Sequence, residues 1–178
     1  MQIIVPTGEV AYPFVFKPQP PMAGSTNKDP SYQLVIVYDE DDKRLDKLKK
    51  AIEDVAVAKF GAKAKKMLES GQLKSPLRKG EGRADWLEGK LTMTARSTDK
   101  PEVVDRDLEE IIRTSDFYSG CRARMDVYLY AFDKAGNKGV SAILNSAQKM
   151  GEGERKSGAR PAQDAYSNAE DDEDDSMM

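Results

Sequence analysis

Residues 121–132 read CRARMDVYLYAF, from Cys121 to Phe132, and their alternation decides the fold class. A β-strand turns successive side chains to opposite faces. Cys121, Ala123, Met125, Val127, Leu129 and Ala131 then share one face, apolar throughout and suited to a core. Arg122, Arg124, Asp126, Tyr128, Tyr130 and Phe132 share the other. The next seven residues, DKAGNKG at 133–139, supply hairpin-turn chemistry, because Gly136, Asn137 and Gly139 tolerate positive φ. The chain is expected to return as a last strand over Val140–Asn145.

The same reasoning runs back toward the N-terminus. Glu9–Lys17, EVAYPFVFK, is rich in β-branched and aromatic residues, and Pro13 places this strand at an edge or a bulge. PQPPMAGSTNKDPS is a loop by composition. Ser31–Tyr38, SYQLVIVY, is nearly continuous in apolar residues and predicts a strand buried on both faces. Leu45, Leu48, Ile52 and Val55 form a helical stripe ending near Phe60, where Gly61 interrupts it, and a shorter helical piece spans Ala62–Ser70. Asp39-Glu40-Asp41-Asp42 stands directly before the stripe. Four adjacent acids cannot all face one metal ion, so they read as an N-cap and favourable first-turn charge. SPLRKGEGRADW is read as a glycine-rich basic loop. Lys90–Ser97 alternates, with Leu91, Met93 and Ala95 facing inward and Thr92, Thr94 and Arg96 outward. Pro101–Asp105 is a short extended piece, and Leu108–Arg113 at most one turn of helix.

These elements describe a mainly β protein with one or two helices: an OB-like five-stranded barrel over residues 1–150, followed by a disordered acidic tail over 151–178. The usual OB order puts the helix after the third strand, whereas here it follows the second. Either Gln2–Val5 pairs as a separate strand or the topology departs from that order.

Composition narrows the chemistry. The 178 residues hold no histidine and a single cysteine. Zinc sites of the Cys/His kind, Ser-His-Asp and Cys-His catalysis, and an intrachain disulfide are all excluded. Nothing resembles a signal peptide, and no run approaches the ~20 apolar residues of a membrane span, so a soluble intracellular protein is expected. The net charge is −3, yet Glu170–Asp175 contributes six consecutive acids; Met1–Ala169 carries 28 bases against 25 acids. The body is mildly basic.

Cations that neutralise phosphates, set beside flat rings that stack on exposed bases, are what binding of single-stranded nucleic acid needs. Arg122 and Arg124 beside Tyr128 and Tyr130 meet both demands on one strand, with Arg96 across the sheet and Arg78, Lys79, Arg83 and Trp86 from the basic loop. Other roles compete with this one. Tyr128, Tyr130 and Phe132 could pack under the helix as a second core layer, Phe132 most of all, and Trp86 divides evenly between core and base stacking.

SPLRKGEGR, TARSTDKPEVVDR, DFYSGCRARMDVYLYAF and GNKGVSAILNSAQKMGEGE occur in succession between Ala11 and Tyr166. Together they resemble a phage family of single-stranded DNA-binding proteins typified by the member from enterobacterial phage Enc34. The resemblance implies an OB-fold similar to the single-stranded DNA-binding protein of phage T7 and a role in replication, recombination or repair in the cytoplasm of the infected bacterial host. It further implies no sequence preference and no cofactor. Family members tend to close with an acidic segment, and Gln163-Asp164-Ala165-Tyr166 resembles its usual end. Here the chain continues through Glu170, Asp171, Asp172, Glu173, Asp174 and Asp175 to Ser176-Met177-Met178.

A tethered acid block beside a basic groove acts as an intramolecular competitor for DNA phosphates at about millimolar effective concentration. It would weaken duplex binding more than single-strand binding, most at low salt, and recruit replication proteins once DNA releases it. The alternative is a tail that only confers solubility. Two rival classes stand beside the DNA reading: an adaptor using the acids as a DNA mimic, and an RNA-binding OB module. Enzymatic activity ranks last. Only Asp126 offers a carboxylate on the proposed face, and it is expected to pair with Arg124 or a cross-strand base.

Overall fold

The computed structural model describes residues 1–21, 29–82, 84–156 and Tyr166. Eight strands and two helices occur among them: β1 (Gln2–Ile4), β2 (Gly8–Gln19), β3 (Ser31–Asp39), α1 (Asp46–Phe60), α2 (Ala64–Ser70), β4 (Leu77–Lys79), β5 (Lys90–Ser97), β6 (Glu102–Val104), β7 (Arg122–Lys134) and β8 (Asn137–Gly151). The alternation of 121–132 is realised. Ala123, Met125, Val127 and Leu129 are buried, while Tyr128 and Tyr130 are exposed.

β7 and β8 pair along their whole length as a hairpin. β2, β3, β5, β8 and β7 then close a ring. In chain order these are the first, second, third, fifth and fourth ring strands, a five-stranded Greek-key ring of the OB type. The ring closes unevenly. β2 meets β7 only at Gly8↔Ala123 and Glu9↔Arg122, and β5 meets β8 through the parallel pair Arg96↔Ile143. Three short strands lie outside the ring: β1 on β7, β4 on β5 and β6 on β8. Both departures considered from the sequence therefore occur together. Gln2–Ile4 pairs separately, and α1 falls between the second and third ring strands.

One apolar cluster fills the ring, with Val10, Leu34, Ile36, Met93, Met125 and Leu144 from the strands and Leu45, Leu48 and Ile52 from the helical stripe. The first residue of that stripe, Leu45, belongs to a 3-10 turn at Lys43–Leu45, capped by Asp42, whose carboxylate accepts the Arg44 backbone N–H at 3.0 Å and the Arg44 guanidinium at 2.7 Å. The side-chain hydrogen bond from Arg44 holds the Asp42 carboxyl below its ordinary value. A cap of this kind contributes about 1 kcal/mol. Asp42→Ala is expected to lower Tm by about 3 °C in a thermal melt at neutral pH. Because the folded value is depressed, the stabilisation is present above the ordinary carboxylate range and lost as pH falls through the folded value, so the gap between wild type and variant should close in acid.

Several sequence expectations are corrected. The glycine-rich basic loop contains a strand, β4, because Leu77–Lys79 pairs with Met93–Leu91. Leu108–Arg113 is not helical; Leu108 has φ +65° and Glu110 bridges back to Val104. The last strand runs to Gly151 rather than Asn145, since β7 is long enough to pair with all of it. Asp126 accepts from the Gln2 amide at 3.0 Å, because β1 and not a basic strand lies across from it. Arg124 instead donates to Gln148 Oε1 at 2.8 Å.

Candidate nucleic-acid interface

The outer face of the ring is organised in cross-strand rows. One row runs Phe14, Gln33, Arg96, Ile143, Tyr128 and Gln2, passing from β2 through β3, β5, β8 and β7 to β1. At ~4.8 Å per strand it spans about 24 Å. Gln33, although buried, is polar because it lies in this row. Its Oε1 accepts Arg96 Nε at 2.9 Å, which orients the guanidinium. Next to the row lies a cleft of about 860 Å³, within the range of ligand-binding pockets. Tyr12, Phe14 and Phe132 supply its rings, and Arg78, Arg96 and Lys74 its cations. Thr94 also lines it, and the Thr94 hydroxyl oxygen is buried without a hydrogen-bond partner among the described residues.

Local structure explains each position. β2 changes register between Ala11 and Phe14, at Pro13. Tyr12 takes φ +47° there, a conformation that costs a bulky residue of order 1–3 kcal/mol. The extra residue turns Phe14 outward into the row and Val15 inward to the core, against the strict alternation set by Glu9 and Ala11. Lys74 arrives by a different route. Its backbone pairs with the hairpin, its N–H donating to Lys138 O at 3.0 Å and its carbonyl accepting Val140 N–H at 2.8 Å.

Sequence reasoning therefore found part of this constellation. Arg78 and Arg96 come together in the cleft; Phe132, which the sequence favours as core, lines it instead. Tyr128 and Tyr130 stand exposed on β7, the strand of the cleft residue Phe132, paired with Ile143 and with the cleft residue Ser141. They are not a layer under the helix. Trp86 is half-buried against an outer-face patch of Ala11, Val35, Val37 and Leu87, beside the cleft residue Ala84, and does not itself line the cleft.

Other residues separate from the cleft. Lys79, one residue from Arg78 on a strand, faces the opposite way, into a groove where Glu40, Glu53 and Glu69 balance Lys49, Lys65 and Lys79 itself. Arg122 and Arg124 occupy the far end of β7; eight residues from Arg122 to Tyr130 extend about 27 Å. Arg83 and the acid block Glu170–Asp175 lie outside the described residues. Tyr12, Phe14 and Lys74 escaped the sequence. Pro13 was the signal for the first two, and no local signal marks the third.

Beyond β8 the chain does not leave the barrel at once. Glu152–Lys156 lies on Tyr118–Gly120: the Tyr118 hydroxyl donates to Glu152 Oε2 at 2.5 Å and accepts from Gly153 N–H at 3.1 Å, while Lys149 Nζ sits 2.5 Å from Glu152 Oε1. Burial alone would raise the Glu152 carboxyl; the bonds from Lys149 and Tyr118 outweigh it and hold it low. Arg155 stacks on the Tyr118 ring at 4.1 Å. The approach is close enough that a Cβ on Gly120, whose φ is +111°, would come within 1.8 Å of Glu154 O. Lys156, the last residue of this segment, places its Nζ 5.7 Å from the Trp86 ring centroid.

A five-stranded ring with cations and rings gathered on its outer face is an OB-fold barrel of the kind that accommodates oligonucleotides. The chain belongs to the family described as Enterobacter phage Enc34, ssDNA-binding protein, which matches residues 1–177. No curated protein matches the sequence. Among solved structures it is similar to the single-stranded DNA-binding protein from bacteriophage Enc34 in complex with ssDNA, with TM-score 0.69, 19% identity, and 88% of this chain and 89% of that chain covered. It is also similar to gp2.5, a single-stranded DNA-binding protein encoded by bacteriophage T7, with TM-score 0.62, 14% identity, and 89% and 98% covered.

Proposed function

We propose that this chain binds single-stranded DNA without sequence preference and shields it during phage replication, recombination or repair in the cytoplasm of the infected host. The observation that carries the proposal is the cleft: Arg78, Arg96 and Lys74 within one concavity whose walls include Tyr12, Phe14 and Phe132. Cations there neutralise phosphates, and each stacked ring contributes about 1–3 kcal/mol for any base. Tyr130 and Tyr128 continue the stacking surface across the hairpin, and Arg124 and Arg122 extend the positive path along β7. No covalent step is involved, and no cofactor is needed.

The acid block Glu170–Asp175 competes with DNA for this cleft and, once displaced, is free to engage replication proteins. Support comes from the described chain that leads toward it, bound to the barrel through Glu152–Lys156, which brings Lys156, fourteen positions before Glu170, beside Trp86. Duplex DNA, whose bases cannot stack on the rings, should feel this competition most.

Fluorescence anisotropy with oligo-dT and a matched duplex, at two salt concentrations, tests both parts. Full-length protein and a truncation ending at Ala169 should both bind oligo-dT, less tightly as salt rises. Truncation should tighten binding, by a larger factor for the duplex. Equal affinities for the two forms would remove the competition and leave solubility or recruitment as the tail's role. Absence of binding by both forms at low salt would leave the adaptor reading in front, and a clear preference for oligo-U would favour the RNA module.

A further inference from the structure

Away from the cleft, the molecule exposes large apolar side chains on one side. Leu108 is 72% exposed, Ile112 79%, Ile4 61% and Met1 46%. Leu108 and Ile112 crown a ridge between β6 and β7. Its turn is built firmly: Asp105 Oδ1 accepts the N–H groups of Asp107 at 2.8 Å and Glu109 at 3.0 Å, and Leu108 is held at φ +65°. The stretch 99–116 carries seven acids and three bases, opposite in sign to the rest of the body. Ile4 and Leu108 both line one small pocket, so ridge and β1 are neighbours. On the other side of β1, toward α1, lies a groove of about 550 Å³ with Met1, Ile3, Ile4 and Ala51 as its apolar lining and Lys47 and Lys50 at its rim. Asp54, 3.6 Å from Lys50, also lines it.

We propose that this side is where two copies of the chain meet about a two-fold axis, the Leu108–Ile112 ridge of each entering the β1–α1 groove of the other. An acidic apolar ridge and a basic-rimmed apolar groove on the same chain are the two halves of one contact. Because they adjoin, a two-fold rotation brings each opposite its complement, the self-complementary arrangement that closes a dimer. Apolar contact supplies the attraction, and the Lys47 and Lys50 to Asp107, Glu109 and Glu110 charges fix the register. None of these residues lines the cleft, and the contact abuts only the far end of the proposed DNA path, where Gln2 lines the groove and Arg124 the pocket between Ile4 and Leu108.

Sedimentation equilibrium of the full-length chain without DNA tests this. A dimer is expected at concentrations on the order of 100 µM, weakening as salt rises. Leu108→Gly is the decisive variant, because glycine suits φ +65° and leaves folding intact or improved while removing the side chain. Its dimer dissociation constant should rise at least about tenfold with no fall in Tm. K47E/K50E should weaken the dimer similarly, and mixing that chain with an E109K/E110K chain should restore a heterodimer. A protein monomeric at that concentration in low salt overturns the proposal. So does a dimer unchanged in Leu108→Gly, including one lost only when the tail is truncated at Ala169.

Discussion

An R78Q/R96Q variant is expected to lose about a hundredfold in affinity for oligo-dT at ~50 mM salt, while its melting temperature stays near that of wild type. Charge-assisted hydrogen bonds contribute about 1.5–3 kcal/mol each, so two lost phosphate contacts amount to two or more decades. Glutamine is chosen at 96 because Arg96 Nε donates to the buried Gln33 amide, and a replacement without an N–H would strand that oxygen. The salt dependence is the sharper readout. Each phosphate contact on a single strand contributes about −0.7 to the slope of log K against log salt, so the double variant should flatten it by about 1.4. A K79Q variant is the internal comparison: Lys79 faces a different groove, on the other side of β4 from the cleft, and should leave the slope unchanged. Equal effects of K79Q and R78Q would remove the cleft from the DNA path.

The seam between β2 and β7 should be the most sensitive point of the fold. Gly8 supplies one of its two register pairs. A Cβ built there would stand 2.6 Å from both Ile36 Cγ2 and Val37 O and 2.9 Å from Tyr38 Cε1. The carbonyl belongs to the backbone of the neighbouring strand and cannot yield without pulling β3 from β2. Gly8→Val should therefore sit at the upper end of overpacking costs, about 3 kcal/mol, and lower Tm by about 10 °C. Gly151→Ala serves as the comparison, since its Cβ would meet only the Arg122 side chain at 3.9 Å. That variant should melt within about 2 °C of wild type. If both variants melt alike, steric closure at Gly8 does not limit stability.

The ring itself was largely legible because its long strands carry period-2 patterns, and β7 most clearly: each inward residue is apolar and each outward one polar or aromatic. Burial of β3 on both faces was also legible from SYQLVIVY, since an outer patch under Trp86 and Leu87 covers what would otherwise be a wet face. The candidate site was legible only in part, and the reasons are local. A bulge at Pro13 reverses alternation in β2, so Phe14 could not be assigned to the outer row by counting. Arg78 and Lys79 looked equivalent while they were read as loop; three residues of strand pairing send them to opposite sides. Lys74 reaches the cleft through backbone bonds to residues 138–140, a contact between segments over sixty positions apart. Arg122 and Arg124 share a face with Tyr128 and Tyr130, but sharing a face says nothing of distance along it.

The seam also bears on how the chain is made. Its partners are Gly8 and Ala123, and the other closure joins Arg96 to Ile143. A ribosome adding ~5–20 residues per second needs on the order of ten seconds to deliver residue 123 after residue 8. Throughout that interval β2 and β3 can form a hairpin, but its inward face, with Val10, Val15, Leu34 and Ile36, has no lid. Pairing across such sequence distances is intrinsically slow even once the chain is complete. The nascent protein therefore spends its early life as a half-built sheet with an open edge, and that interval, rather than the finished barrel, is when it is most exposed to aggregation.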